Sequence, residues 1–152
     1  MVKHLTSINE IRLHYKRPHI SKLPQIDTIS QAVQNLRTII EPGILDLKEY
    51  YWIILLTADN RLLGVSEINS GTVVGIKFFA REIMQLALLS NAVNIVLVHN
   101  HPSGDLSAST EDIESTKNIG RIGKTMDVHL LDHLIITSES FASIRSVMDW
   151  KF

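Results

Sequence analysis

The chain has no cysteine. That absence excludes disulfides, thiolate-held zinc and thiol nucleophiles. It suits a reducing compartment, and the expectation is a cytoplasmic protein. Proline and glycine are sparse, four and seven in 152 residues, which excludes collagen-like and low-complexity architectures. No apolar run reaches the ~20 residues that a membrane-spanning helix needs. The N-terminus lacks the apolar stretch of a signal peptide. Neither sign of charge is in excess, the formal net being −1. Such a balance gives no general pull toward nucleic acid or an anionic membrane. Its distribution is less even. Residues 1–24 carry Lys3, Arg12, Lys16, Arg17 and Lys22 against Glu10, a net of +4, which leaves −5 for the remainder. This basic N-terminal arm is a solvated or sheet-packing segment on one reading, and a contact for a polyanion or a partner protein on the other.

What is present is an ordinary globular composition, 45% hydrophobic and 20% charged, with enough length to bury one real core. Pro18 and Pro24 punctuate the arm, so the compact domain is expected over 25–152. Thr28 and Gln31 suit a capping box, and Ile29, Val33, Leu36 and Ile40 follow at helical spacing until Pro42-Gly43. Tyr50 to Thr57 reads as a buried strand, Ala58 to Arg61 as a turn, and Leu62 to Asn69 as the returning strand of a hairpin. A helix is expected over Phe79 to Ser90, with Phe79, Ile83, Leu86 and Ala87 on one face. Asn94 to Val98 is short, apolar and β-branched, hence a central strand. A second helix is expected from Ser109 to about Met126, through Ile113, Thr116 and Ile119, and a further strand over Val128 to Thr137. Strands interleaved with helices predict an α/β fold, a mixed sheet flanked by helices.

The chemistry concentrates in His99-Asn100-His101-Pro102-Ser103-Gly104, followed by Ser109 and Asp112. Residues two apart on a strand share a face, so both imidazoles project together if strand geometry continues to His101. Two histidines and one carboxylate are a usual protein set for catalytic zinc, with a fourth position left for water. The loop from Pro102 to Ala108 would return Asp112 over the strand end. Ser109 and Asp112 also read as a helix-capping box, a role compatible with the first for Ser109. A zinc hydrolase needs a general base, and Glu67 is the candidate. Leu63, Val65 and Glu67 alternate onto one face by period, so Glu67 is either a half-buried carboxylate of raised pKa or an exposed strand-end residue. His129 and His133 share a face with Leu131 and Ile135 and read as core or supporting residues. His-Glu-x-x-His, Pro-Cys-x-x-Cys and the Gly-x-x-x-x-Gly-Lys loop are all absent.

His99-x-His101-Pro102, then Ser109 and Asp112, resembles the JAMM signature His-x-His-Pro-x(7)-Ser-x-x-Asp at every named position. With Leu131-Asp132-His133 downstream, the chain is similar to RadC-like JAB domains over roughly 27–137. The resemblance implies a cytidine-deaminase-like fold and Zn2+ held by His99, His101 and Asp112. It also implies Ser109 as an oxyanion stabiliser and Glu67 as the catalytic glutamate, Glu82 being placed on a helix. Typical relatives carry an N-terminal helix-hairpin-helix region, and no such motif is seen here. Phe78-Phe79-Ala80-Arg81-Glu82 stands where many of them read His-Pro-Arg-Glu. The implied activity is a JAMM-type zinc metallopeptidase acting on a peptide or protein substrate. The alternative is a DNA-repair accessory protein that contacts nucleic acid. No membrane partner is expected, and oligomeric state is not readable from the sequence.

Overall fold

The computed structural model describes residues 15–41, 43–70 and 80–152, the side chains of Asn69 and Ser70 excepted. Its elements are α1 (Ile29–Arg37), β1 (Tyr50–Leu56), β2 (Leu62–Ser70), α2 (Ala80–Leu89), β3 (Asn94–Asn100), α3 (Thr110–Thr125), β4 (His129–Ile136) and β5 (Phe141–Ser143). The five strands form one sheet in the order β2-β1-β3-β4-β5. Only β3 and β4 run parallel, joined through α3, while the other neighbours are antiparallel. This is the expected mixed α/β sheet. The one strand not expected is β5, three residues that close the edge beside β4.

Alternation along β1 and β3 explains why both strands are apolar on both faces. Trp52, Ile54, Leu56, Val96 and Val98 pack under α1, with Ala32, Val33 and Leu36 of that helix. Ile53, Leu55, Ile95 and Leu97 pack on the opposite side, against Ile83, Met84 and Ala87 of α2 and Ile119 of α3. The sheet is therefore sandwiched between α1 and the α2–α3 pair. Each fully buried Ile or Leu contributes roughly 1.5–3 kcal/mol of apolar burial.

The capping box at Thr28 and Gln31 starts α1 as its sequence indicates. The buried face differs in its first turn: Ile29 is 39% exposed, and Ala32 takes its place in the core. Phe79, expected on α2, lies outside the described residues. In α3, Gly123 permits a close approach to the next strand. A Cβ there would collide with the Val128 carbonyl oxygen, and the Val128 N–H donates to the Gly123 carbonyl at 2.8 Å.

Two bulges correct the face assignments. Leu55 pairs with Gly64 but Leu56 with Leu62, which leaves Leu63 unpaired in β2. Leu63 consequently packs on the α2–α3 side and Val65 on the α1 side, so they do not share a face. Ile95 pairs with Leu130 but Val96 with Asp132, so Leu131 is bulged in β4 and joins the α1 side. His133 and Ile135 stay on the other face, apart from Leu131, and His129 is exposed.

Candidate metal centre

The site lies at the carboxyl end of parallel strand β3, where open α/β sheets place ligands. Alternation sends His99 to the α2–α3 face and Asn100 to the other. His99 is 1% exposed. Tyr51 faces it across the β1–β3 ladder, and the two rings stack at 4.7 Å with 16° between planes. Asn100 is completely buried. Its amide nitrogen donates to the Leu45 and Lys48 carbonyls at 2.7 and 2.8 Å, and its oxygen accepts from the Tyr50 N–H at 2.6 Å. That clamp ties the segment entering β1 to the end of β3.

His101 follows the last β3 residue and keeps the ladder running, its N–H donating to the Ile136 carbonyl. The chain then reverses. Gly104 adopts φ +81, a value that favours glycine, and its N–H donates to the His101 carbonyl. The reversal brings in α3, capped by Ser109. Asp112 sits at its third position and completes the capping box by accepting from the Ser109 N–H at 2.9 Å. The Ser109 hydroxyl donates to that same carboxylate oxygen, Oδ2, at 2.6 Å, and accepts from the Asp112 N–H at 3.1 Å. Capping and ligand positioning are thus one arrangement. The Tyr51 hydroxyl donates to Asp112 Oδ1 at 3.3 Å.

One donor atom from each of His99, His101 and Asp112 lies within 4.8 Å of the others. His99 Nε2 is 3.0 Å from His101 Nε2 and 3.3 Å from Asp112 Oδ1. His101 Nε2 is 3.8 Å from Asp112 Oδ2. Ligands held tetrahedrally by a metal at about 2.0–2.1 Å stand about 3.3–3.4 Å apart, close to the His99 spacings, so the group could hold such an ion. The protonation pattern agrees. His101 Nδ1 lies 2.7 Å from the Asp105 carbonyl, which can only accept, so Nδ1 carries the proton and Nε2 offers its lone pair to the site. That lone pair and the Asp112 carboxylate are atoms that could hold a metal ion.

Burial holds the His99 imidazole below its ordinary pKa, in the neutral, ligating form. Burial alone would raise the Asp112 carboxyl, but the hydrogen bonds donated by the Ser109 hydroxyl and N–H oppose it. Burial and the Asp112 charge push the Tyr51 phenol up, so it remains a donor.

Tyr51, His101, Ser109 and Asp112 line an open cleft of about 590 Å³, with His99 behind them. Glu49, Asp105 and Glu111 also line it, and none of its described lining residues is Lys or Arg. The structure therefore brings together His99, His101, Asp112 and Ser109. Glu67 is elsewhere: it is exposed, lies opposite Trp52 in the β1–β2 ladder, and does not line the cleft. Of the two sequence expectations, half-buried or exposed, the structure shows the exposed one. Sequence reasoning missed Tyr51, Glu49, Asn100 and Thr116. Thr116 was nevertheless signalled, since it stands four residues after Asp112 on the same helix face.

The RadC-like JAB domain family matches the chain over residues 26–149. A UPF0758 protein of Desulforudis audaxviator is 36% identical over 98 residues, 64% of this chain and 43% of the relative. One from Flavobacterium johnsoniae is 33% identical over 135 residues, 88% of this chain and 57% of that protein. Another, from Finegoldia magna, is 37% identical over 108 residues, 71% and 48% respectively. The chain spans about half the length of these relatives. It belongs to the RadC-like JAB domain family.

Proposed function

We propose that this RadC-like JAB domain is a zinc-dependent hydrolase of amide bonds, acting on a peptide or isopeptide linkage. The observation that carries the reading is the convergence of His99, His101 and Asp112 donor atoms within 4.8 Å beside an open cleft. Two imidazoles and a carboxylate suit zinc, whereas calcium and magnesium favour oxygen ligands. When bound, zinc supplies Lewis acidity, polarising a carbonyl and lowering the pKa of a water.

The remaining work falls to the chain. His99, His101 and Asp112 would hold the ion. The Ser109 hydroxyl steers the Asp112 carboxylate and, rotated into the cleft, aims a donor at the oxyanion that develops on an attacked carbonyl. Such a donor is typically worth about 3–4 kcal/mol. Tyr51 presents a neutral phenol at the same wall. For carrying the proton from water to the leaving amine, two glutamates compete: Glu67, which the family resemblance nominates, and Glu49, which lines the cleft. The carboxylates of Glu49, Asp105 and Glu111 favour a neutral or cationic substrate over a phosphate backbone.

The test is hydrolysis of fluorogenic peptide and lysyl-isopeptide substrates by the zinc-loaded protein. Turnover is expected, with Glu67→Gln or Glu49→Gln abolishing it while zinc is retained; the variant that does so identifies the proton carrier. Turnover unchanged in both variants contradicts the glutamate step. The alternative role in DNA association is checked by a mobility-shift titration across salt concentrations, where binding at low salt that is lost on deleting 1–24 would favour it.

A further inference from the structure

Behind His99 runs a chain of hydrogen bonds whose directions can be worked out from one end. The Thr116 hydroxyl lies 2.6 Å from the Asp112 carbonyl, four residues earlier in α3. A carbonyl only accepts, so the single hydroxyl proton is committed there. The same oxygen is 2.6 Å from His133 Nδ1 and must accept from it. His133 is completely buried, where a charged imidazole is costly. With its proton on Nδ1, its Nε2 is an acceptor. That Nε2 is 2.8 Å from His99 Nδ1, which therefore donates. The proton of His99 is then on Nδ1, and its Nε2 lone pair faces His101 and Asp112.

We propose that Thr116 and His133 are positioning residues that lock His99 in the Nδ1-protonated tautomer, the form that can ligate a metal through Nε2. The inference deepens the proposed zinc site and rests on that reading for its purpose, although the tautomer is a property of the metal-free chain. The arrangement is closed on itself: the carbonyl that sets the direction belongs to Asp112, whose side chain is the third ligand. One helix turn thus supplies both a ligand and the reference that orients another ligand. It also explains a buried threonine and a buried histidine beside a mainly aliphatic layer.

Two measurements test it. Long-range proton–nitrogen correlation spectra of histidine-labelled, metal-free protein are expected to show His99 and His133 each protonated at Nδ1 and bare at Nε2. A wild-type His99 protonated at Nε2 overturns the proposal by itself. Thr116→Val removes the acceptor with little change of shape. His133 is expected to switch tautomer and His99 with it, and zinc affinity in chelator competition to fall about 10–100-fold, the range for loss of a partner behind a ligand. Thr116→Ser restores the hydroxyl and is expected to restore both the spectrum and the affinity. A Thr116→Val protein with wild-type tautomers and affinity refutes the lock. Failure of the wild type to bind zinc contradicts the proposed function, while the metal-free spectrum still decides this inference.

Discussion

Asn100 stands between the two histidines yet points away from the metal centre, and its removal has a calculable cost. Asn100→Ala leaves the Leu45 and Lys48 carbonyls and the Tyr50 N–H without their partner. Each buried polar group left unpaired costs about 1–3 kcal/mol. Leu45 is buried, whereas Lys48 and Tyr50 are half-buried and regain some water. The sum is about 3–5 kcal/mol, a large share of the ~5–15 kcal/mol that holds a domain together. Urea unfolding of the metal-free protein, followed through Trp52 and Trp150, measures it. With a urea slope of ~1.5–2 kcal/mol/M for a domain of this size, the midpoint should fall by about 2–3 M. Asn100→Asp should cost at least as much, because it turns a carboxylate oxygen toward two carbonyls. A loss below about 1 kcal/mol for the alanine variant, at unchanged slope, would refute the reasoning.

Gly123→Ala should lose about 1–3 kcal/mol in the same unfolding experiment, because the added methyl meets the backbone of Val128 rather than a movable side chain. Ser109→Ala should lower stability by about 1 kcal/mol as a lost cap and lower kcat by about 10²–10³-fold if its hydroxyl serves the oxyanion. Asp132 accepts from the Ser143 hydroxyl and the His133 and Arg145 N–H groups, yet burial raises its carboxyl above the ordinary 3.8. A carboxyl raised in the fold is relatively stabilising while protonated, and that contribution is lost as pH rises through the folded-state value. Wild type should therefore lose stability relative to Asp132→Asn as pH rises from about 4 toward neutrality; a wild type that gains stability relative to the variant over that range would contradict the sign.

The strands and helices were legible because their periods were strong. YYWIILL and NIVLV have no polar face to expose, and both became strands buried on two sides. The metal candidates were legible because their spacing is short: a strand end, one loop and the first turn of a helix fix His99, His101 and Asp112 within a single local unit. What periodicity could not supply was register. One extra residue at Leu63 and another at Leu131 exchange the faces of their neighbours; Gly64 is a mark of the first, and nothing in the composition of β4 marks the second. Glu67 suffers from the same limit, since its face depends on the pairing of β2 with Trp52. Tyr51 and Glu49 were hidden for a different reason. Tyr51 reaches the site by pairing across the β1–β3 ladder with His99, more than forty residues later in the chain, and Glu49 precedes that strand.

The most direct test of the account is the zinc content of purified protein after reconstitution and removal of free metal. Stoichiometric zinc in the wild type is predicted, with loss in His99→Ala, His101→Ala and Asp112→Asn at unchanged circular dichroism. A wild type that holds no zinc, or variants that hold as much as the wild type, would contradict it.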